Sequence, residues 1–302
     1  MSSTTVSPHA AIRVDGLTKR FGRTLAVDDL SLAIPAGEVF GFLGPNGAGK
    51  STTIRLLLGL ILPSSGTATV FGVPASDVRR AHRLLAYVPG DVALWPDLTG
   101  AEILELLART GPGVDARYRT ELVRRFMLDL DKPAKTYSTG NRQKVALVAA
   151  FATRAELLVL DEPTSGLDPL MEQEFRRCVA EARERGQTVF LSSHQLTEVE
   201  AVCDRVGILR AGRLVEIAGI PELRRLHRTT VEVGYHGEEP SFVDVPGVVE
   251  VERLDRSRLR ITLSGPPGPA LRVLARADIT TVSMREPTLQ EIFLDYYGEN
   301  AR

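Results

Sequence analysis

A mainly parallel α/β fold followed by a small α+β domain is what this sequence predicts, on three observations. From residue 38 to residue 210, short apolar strands alternate with helical stretches, the spacing of units that bury a parallel sheet between helices. Some of these strands, Glu38–Leu43 and Leu157–Leu160 among them, are nearly continuous apolar runs, as strands covered on both faces must be. After Pro221 the texture changes to strand-like runs at 229–235, 248–255, 258–264 and 279–285, broken by HGEEPSF and SGPPGPA. The division predicted is a large domain over 11–221 and an accessory α+β domain over 222–302.

Composition agrees with a packed core: 43% of the 302 residues are hydrophobic and 25% charged, which excludes a disordered or collagen-like chain. Lys+Arg 37 against Asp+Glu 38 leaves a net charge of -1, so no global field draws nucleic acid or anionic lipid. Cys178 and Cys203 form no CxxC pair, and a reducing compartment is the default expectation. The start of the chain lacks the basic-then-apolar pattern of a signal peptide. The longest apolar runs, around Leu56–Leu62 and Val145–Ala152, fall short of the ~20 residues that span a bilayer. Any membrane-spanning partner is therefore expected on a separate chain.

In chain order, residues 11–36 read as short β pieces with turns at Phe21–Arg23 and Pro35–Gly37. The buried strand Glu38–Leu43 ends in GPNGAGKSTT, followed by helical character over Ile54–Leu60 and a stop at Pro63. A strand at 67–73, a helix running into a strand over 77–88 and a loop over Pro89–Pro96 follow. Helices are predicted over Gly100–Arg109, Arg117–Asp129 and 141–153, a set placed in a helical subdomain of about 90–150. The strand Leu157–Leu160, a helix near 170–185, the strand Thr188–Leu191, a helix near 195–203 and the strand Val206–Arg210 complete the large domain. In the tail, Thr288 and Glu291 match a capping box, and Leu289, Ile292, Phe293 and Tyr296 make one helical stripe.

The strongest chemical signal is the run Gly44, Pro45, Asn46, Gly47, Ala48, Gly49, Lys50, Ser51, which with Thr52 fits GxxxxGK[ST] between a strand and a helix. Its glycines let consecutive backbone N–H groups turn toward phosphate oxygens, Lys50 adds a point charge for the β/γ-phosphates, and the Ser51 hydroxyl can ligate Mg²⁺. The helix behind it aims its positive end at the same anion. A second motif, LLVLDEP over 157–163, ends a buried strand in two acids at the sheet's carboxyl edge. Asp161 is suited to holding Mg²⁺, usually through water, and Glu162 to orienting and polarising the attacking water. Alone such an acid is commonly a cap or a solvated turn; beside a phosphate loop it reads as functional.

Between these motifs lies Tyr137-Ser138-Thr139-Gly140-Asn141-Arg142-Gln143-Lys144, just before a helix. After them come SGLD, ending at Asp168, and His194 behind the strand TVFLSS. The ordered set resembles the ATP-binding cassette (ABC) ATPases over residues 11 to about 220. GPNGAGKST resembles the family's Walker A motif, LLVLDEP its Walker B, STGNRQK its signature, SGLD its D-loop and His194 its switch histidine. Phe21 stands where the family places an adenine-stacking aromatic. The resemblance implies that two cassettes, as a homodimer, sandwich two ATP molecules with Mg²⁺. Lys50, Ser51, Asp161, Glu162 and His194 of one would face Ser138, Thr139, Gly140 and Asn141 of the other.

Three elements depart from the family pattern: the signature, the base-stacking aromatic and the Q-loop. Tyr137, Thr139 and Asn141 replace the first, third and fifth residues of the LSGGQ signature, and Phe21 lacks the hydroxyl of the commoner tyrosine. Where the family's Q-loop glutamine follows YVP, this chain has Gly90 and then Asp91; Asp91 either supplies the Mg²⁺ contact from the next position or belongs to a solvated loop. DLTGAEIL, the STGNRQK form and the tail PTLQEIFLDYYG look like ATPase subunits of ABC-2-type exporters, which include drug- and antibiotic-resistance transporters. That likeness implies a separate transmembrane permease, docked near Val92–Leu98, and a peripheral position on the cytoplasmic side of the membrane, with no nucleic acid as partner. An importer ATPase, or a soluble ABC ATPase acting on ribosomes or DNA, is the alternative.

Overall fold

The computed structural model describes residues 10–222 and 229–285. Two long strands open the chain, β1 (Ala10–Phe21) and β2 (Thr24–Pro35), paired antiparallel across a tight turn at Gly22. Alternate side chains point inward, so Ile12, Val14 and Leu17 meet Leu30, Leu32 and Ile34 in the core. With β4 (Ser65–Val70) and β5 (Val73–Pro74) they make a four-stranded antiparallel sheet, ordered β2-β1-β4-β5.

The second sheet is the one that positions the site. It contains β3 (Val39–Leu43), β6 (Leu85–Val88), β7 (Leu157–Asp161), β8 (Thr188–Ser193), β9 (Arg205–Arg210) and β10 (Arg213–Gly219). Their order is β10-β9-β3-β8-β7-β6, and the pairings β9-β3, β3-β8, β8-β7 and β7-β6 are all parallel. Every residue of β3, β7 and β8 is buried, as the apolar runs predict for strands covered on both faces. Phe40, Phe42 and Phe190 pack together within this core.

Around this sheet lie α1 (Lys50–Leu57), the short α2 (Val78–Ala81), α6 (Pro169–Glu184) and α7 (Leu196–Val202). Between β6 and β7 the chain forms α3 (Gly100–Thr110), α4 (Ala116–Arg125) and α5 (Thr139–Phe151). Thr99 and Glu102 close a capping box at the start of α3, and Asp115 caps α4 by accepting from two backbone N–H groups. The helix after the phosphate loop starts at Lys50, four residues before Ile54, because the last residues of the motif already lie in its first turn.

The structure divides between Ile217 and Ala218. The second unit is an antiparallel sheet of β11 (Thr229–His236), β12 (Val248–Asp255), β13 (Arg258–Leu263) and β14 (Asp278–Arg285), ordered β12-β13-β11-β14. One face buries Val231, Val233, Leu259, Ile261 and Leu263 with Ala270 and Leu274 of a helix, α8 (Gly268–Leu274). That helix begins inside SGPPGPA, a stretch the sequence marks as a breaker. Its prolines stand at the N-cap and in the first turn, where a missing N–H costs nothing. The helix expected from Pro287 lies outside the described residues. Among the described residues two of the three sheets are antiparallel, so the mainly parallel description holds for the sheet that carries the nucleotide motifs.

Candidate functional site

Strand order alone gathers the motifs. Because β8 lies between β3 and β7 and all run parallel, their carboxyl ends sit side by side: Leu43 pairs with Ser193 and Asp161 with Ser192. The phosphate loop leaves β3, the acidic pair leaves β7, and His194 leaves β8. This is the edge where parallel sheets present ligand sites.

The loop between β3 and α1 wraps Lys50. Its ammonium donates to Gly44 O at 2.7 Å and Pro45 O at 3.3 Å and lies 3.2 Å from Glu162 Oε1, with the side chain 5% exposed. Gly49 holds φ at 109°, and a Cβ there would come within 2.4 Å of Ala26 O. Only glycine lets the β1–β2 hairpin close on the loop so tightly. Ser51 Oγ donates to Asp161 Oδ1 at 3.4 Å, and Ser192 Oγ donates to the same oxygen at 2.5 Å. Asp161 is thus buried among hydroxyls, and a hydroxyl beside a carboxylate is the oxygen-donor chemistry that Mg²⁺ takes.

Glu162 has a left-handed backbone, φ 49°, a strained conformation for a residue with a Cβ. Its N–H is held by Ser192 O at 3.1 Å and Ser192 Oγ at 3.2 Å, which fixes the kink. The kink turns the carboxylate toward the cavity, where one oxygen meets Lys50 and the other contacts His194 Nδ1. Strain of this kind concentrates where function demands a particular side-chain aim.

These groups line one cavity of about 570 Å³. Pro45, Asn46, Gly47, Gly49, Lys50, Ser51, Thr52, Asp161, Glu162 and His194 border it, and so do Gly90 and Asp91. The structure also brings in Thr24, Leu25 and Ala26 from the β1–β2 hairpin and Arg55, which no motif marks, together with Tyr87 and Pro89 of the YVP run and Ser165 of SGLD. Burial and the nearby Asp161 carboxylate push the Tyr87 phenol up to about 12, so it stays a neutral wall. Phe21 is not part of this lining. It is 49% exposed at the end of β1, with the Lys19 ammonium 4.9 Å from its ring centroid.

Ser138 caps α5, accepting from Asn141 N at 3.2 Å, with Thr139 and Gly140 in the helix's first turn. A Cβ on Gly140 would meet Gly166 O at 2.4 Å, so the signature glycine is required by the loop after Walker B. Gln143 Nε2 donates to Pro163 O at 2.9 Å from within the core, a second tie between the same segments. Asp168 caps α6, accepting from Leu170 N and Met171 N at 3.0 Å.

A second cavity, of about 390 Å³, lies beside β6 and the α3–α5 helices, bordered by Leu60, Leu85, Leu94, Trp95, Leu107 and Ala149 among others. Trp95 is 50% and Leu60 56% exposed there, while Leu94 and Leu98 are half-buried and Val92 buried. No helix of the described residues is long and apolar enough to cross a membrane.

Comparison with known proteins agrees with this geometry. A family model described as ABC transporter matches residues 27–165, and one described as ATP-binding protein DrrA1-3-like, C-terminal domain, matches residues 220–297. The daunorubicin/doxorubicin resistance ATP-binding protein DrrA of Streptomyces peucetius is 35% identical, with 97% of this chain and 94% of that protein covered. The linearmycin resistance ATP-binding protein LnrL of Bacillus subtilis is 31% identical, covering 96% of this chain and 99% of its own. A solved ATP-binding subunit of an ABC transporter superposes with a TM-score of 0.66 at 32% identity, over 71% of this chain and 92% of that one. With two relatives matched along nearly their whole length and the nucleotide motifs converging on one cavity, this chain belongs to the ABC transporter ATP-binding proteins.

Proposed function

We propose that this chain is the ATPase of a drug- or antibiotic-type exporter, hydrolysing ATP in a two-cassette sandwich to drive a separate membrane-spanning permease. The observation that carries the chemistry is the convergence of Lys50, Ser51, Asp161, Glu162 and His194 on one cavity. Lys50 and the N–H groups of residues 44–52 bind the β/γ-phosphates, drawing the ammonium from the Gly44 and Pro45 carbonyls. Glu162 orients water for in-line attack, and His194, contacting Glu162, holds its carboxylate and faces the γ-phosphate. Ser51 and Asp161 would hold Mg²⁺, which supplies charge neutralisation on the phosphates; Asp91, exposed on the same cavity's border, either joins them or stays a solvated loop residue. Ser138 through Asn141, at the start of α5, provide N–H groups for the nucleotide of a second, identical cassette, with Asp168 at the facing loop.

The export reading rests on the resistance functions named for the relatives and on the apolar groove around Trp95, which suits a short helix offered by the permease. The chain then works at the cytoplasmic face of the membrane, held there through that partner. Residues 11–221 form the cassette and 222–302 an accessory domain. The test is a pull-down from detergent-solubilised membranes with tagged Glu162→Gln protein and ATP. A stoichiometric polytopic membrane protein is the expected result; recovery with ribosomal or DNA-bound partners alone would overturn the transport reading and leave the ATPase standing.

A further inference from the structure

Glu162 holds its left-handed backbone against two local preferences. A residue with a Cβ avoids positive φ, and Pro163, which follows it, biases its predecessor toward extended backbone. Such a conformation persists only where the surroundings over-determine it. On the upstream side, Ser192 O and Ser192 Oγ accept from the Glu162 N–H. Downstream, the Ser165 N–H donates to Glu162 O at 3.1 Å and closes the turn. A side chain from another helix adds the last hold: Gln143 Nε2, on α5, donates to Pro163 O at 2.9 Å. Gln143 is 2% exposed and Pro163 is buried, so water does not compete for that carbonyl.

The proline is what carries this hold back to Glu162. Its ring locks φ of residue 163. Between the N–H gripped by Ser192 and the carbonyl gripped by Gln143, the only soft torsions left are φ and ψ of Glu162 and ψ of Pro163. With both ends anchored, Glu162 cannot relax toward extended backbone without breaking a bond at one of them. We infer that Gln143 is a positioning residue for ATP hydrolysis, holding from α5 the kink that aims the Glu162 carboxylate. Gln143 does not border the nucleotide cavity and acts through the backbone of residues 162 and 163. Its helix opens with Ser138–Asn141, so one amide joins the signature segment to the carboxylate that orients water in the same cassette.

The inference rests on the ATPase reading, so wild type and Glu162→Gln are measured first. Active wild type with a strongly slowed Glu162→Gln establishes the glutamate; equal rates would sink that reading and this inference with it. Two full-length variants are then assayed for kcat, KM for ATP and equilibrium nucleotide affinity, with melting curves to confirm folding. Gln143→Met fills the space without a donor, and Gln143→Asn keeps the amide but falls a methylene short. Both should lose kcat about tenfold while KM and affinity stay within about twofold of wild type, the split expected when an aiming contact goes and the binding contacts remain.

The double variant separates aiming from packing. If Gln143 acts through Glu162, adding Gln143→Met to Glu162→Gln should change the residual single-turnover rate by no more than about twofold, against about tenfold on wild type. A purely structural role would slow both backgrounds alike, and that additive result would overturn the inference. So would an unchanged kcat in the single variants, or a loss carried by KM instead. If both single variants are unfolded at the assay temperature, Gln143 is a stability residue and the positioning role falls.

Discussion

Both units of this chain contain a row of alternating charges, and the two rows do different work. In the first, Arg125 of α4 is 9% exposed and bridges Glu174 at 2.9 Å and Glu181 at 2.9 Å on α6, while Tyr118 donates to Glu181 at 2.5 Å. In the second, the strand register lines up Glu232, Arg260 and Glu252 across an open sheet face, with Arg260 41% exposed and bonded to both acids. The residue types and distances are nearly the same; access to water is what differs. In the buried row the charges depend largely on their partners for solvation, so losing the central guanidinium is costly. In the exposed row water replaces any missing member. Lys50 and Glu162 combine the two conditions, being largely buried yet facing a cavity, so the charges that hold each other are also available to a ligand.

The sharpest break of that comparison is at the cavity. Glu162→Gln should lower ATP turnover by roughly 10²–10⁴-fold, the range for removing a general base, with nucleotide affinity retained; stopped-time phosphate release beside equilibrium binding checks both. Lys50→Ala should weaken nucleotide binding by about ten- to a hundredfold, since charge-assisted contacts are lost. Unchanged affinity in a fluorescent-nucleotide titration would refute the phosphate-loop assignment. Next comes the contrast itself. Arg125→Ala should cost roughly 2–4 kcal/mol of stability by taking the buried guanidinium from Glu174 and Glu181, which keep only Arg177 and the Tyr118 hydroxyl. Arg260→Ala should leave the melting temperature without a resolvable change, and equal losses in the two variants would erase the distinction.

The smallest effect concerns the thiols. Burial pushes Cys178 up to about 12 and Cys203 well above its ordinary value. Neither should react with a maleimide at neutral pH until the protein unfolds, and rapid labelling of the folded chain would show the first unit to be looser than described.

Much of this was legible because local and global signals agree. The GxxxxGKS loop, the apolar strand ending in Asp161-Glu162 and the histidine after TVFLSS each announce themselves, and parallel strand order then brings them together. What stayed hidden depends on contacts between distant segments. Nothing local marks Ser192 as the second hydroxyl on Asp161, Tyr87 as a cavity wall, or Ala26 as the residue under Gly49. The left-handed kink at Glu162 is equally invisible, since it comes from the β8 strand end that grips its N–H. In the second unit, α8 was masked by prolines that read as breakers until their first-turn positions are seen. Phe21 is a different case: the motif names the residue, and the fold sets it half-exposed at the end of β1, beside the hairpin residues that border the cavity.

The fit of Gly140 against Gly166, the Gln143 bond to Pro163 and the Arg125 pairs with α6 attach the α3–α5 helices to the segment after Walker B at both ends of α6. For anyone building hybrid cassettes, this sets where the seams belong. Exchanging residues 90–150 alone would part Arg125 from its acids and seat a foreign helix on Gly166. The transplantable piece runs on through Glu184, and inheritance by recombination should respect the same boundary.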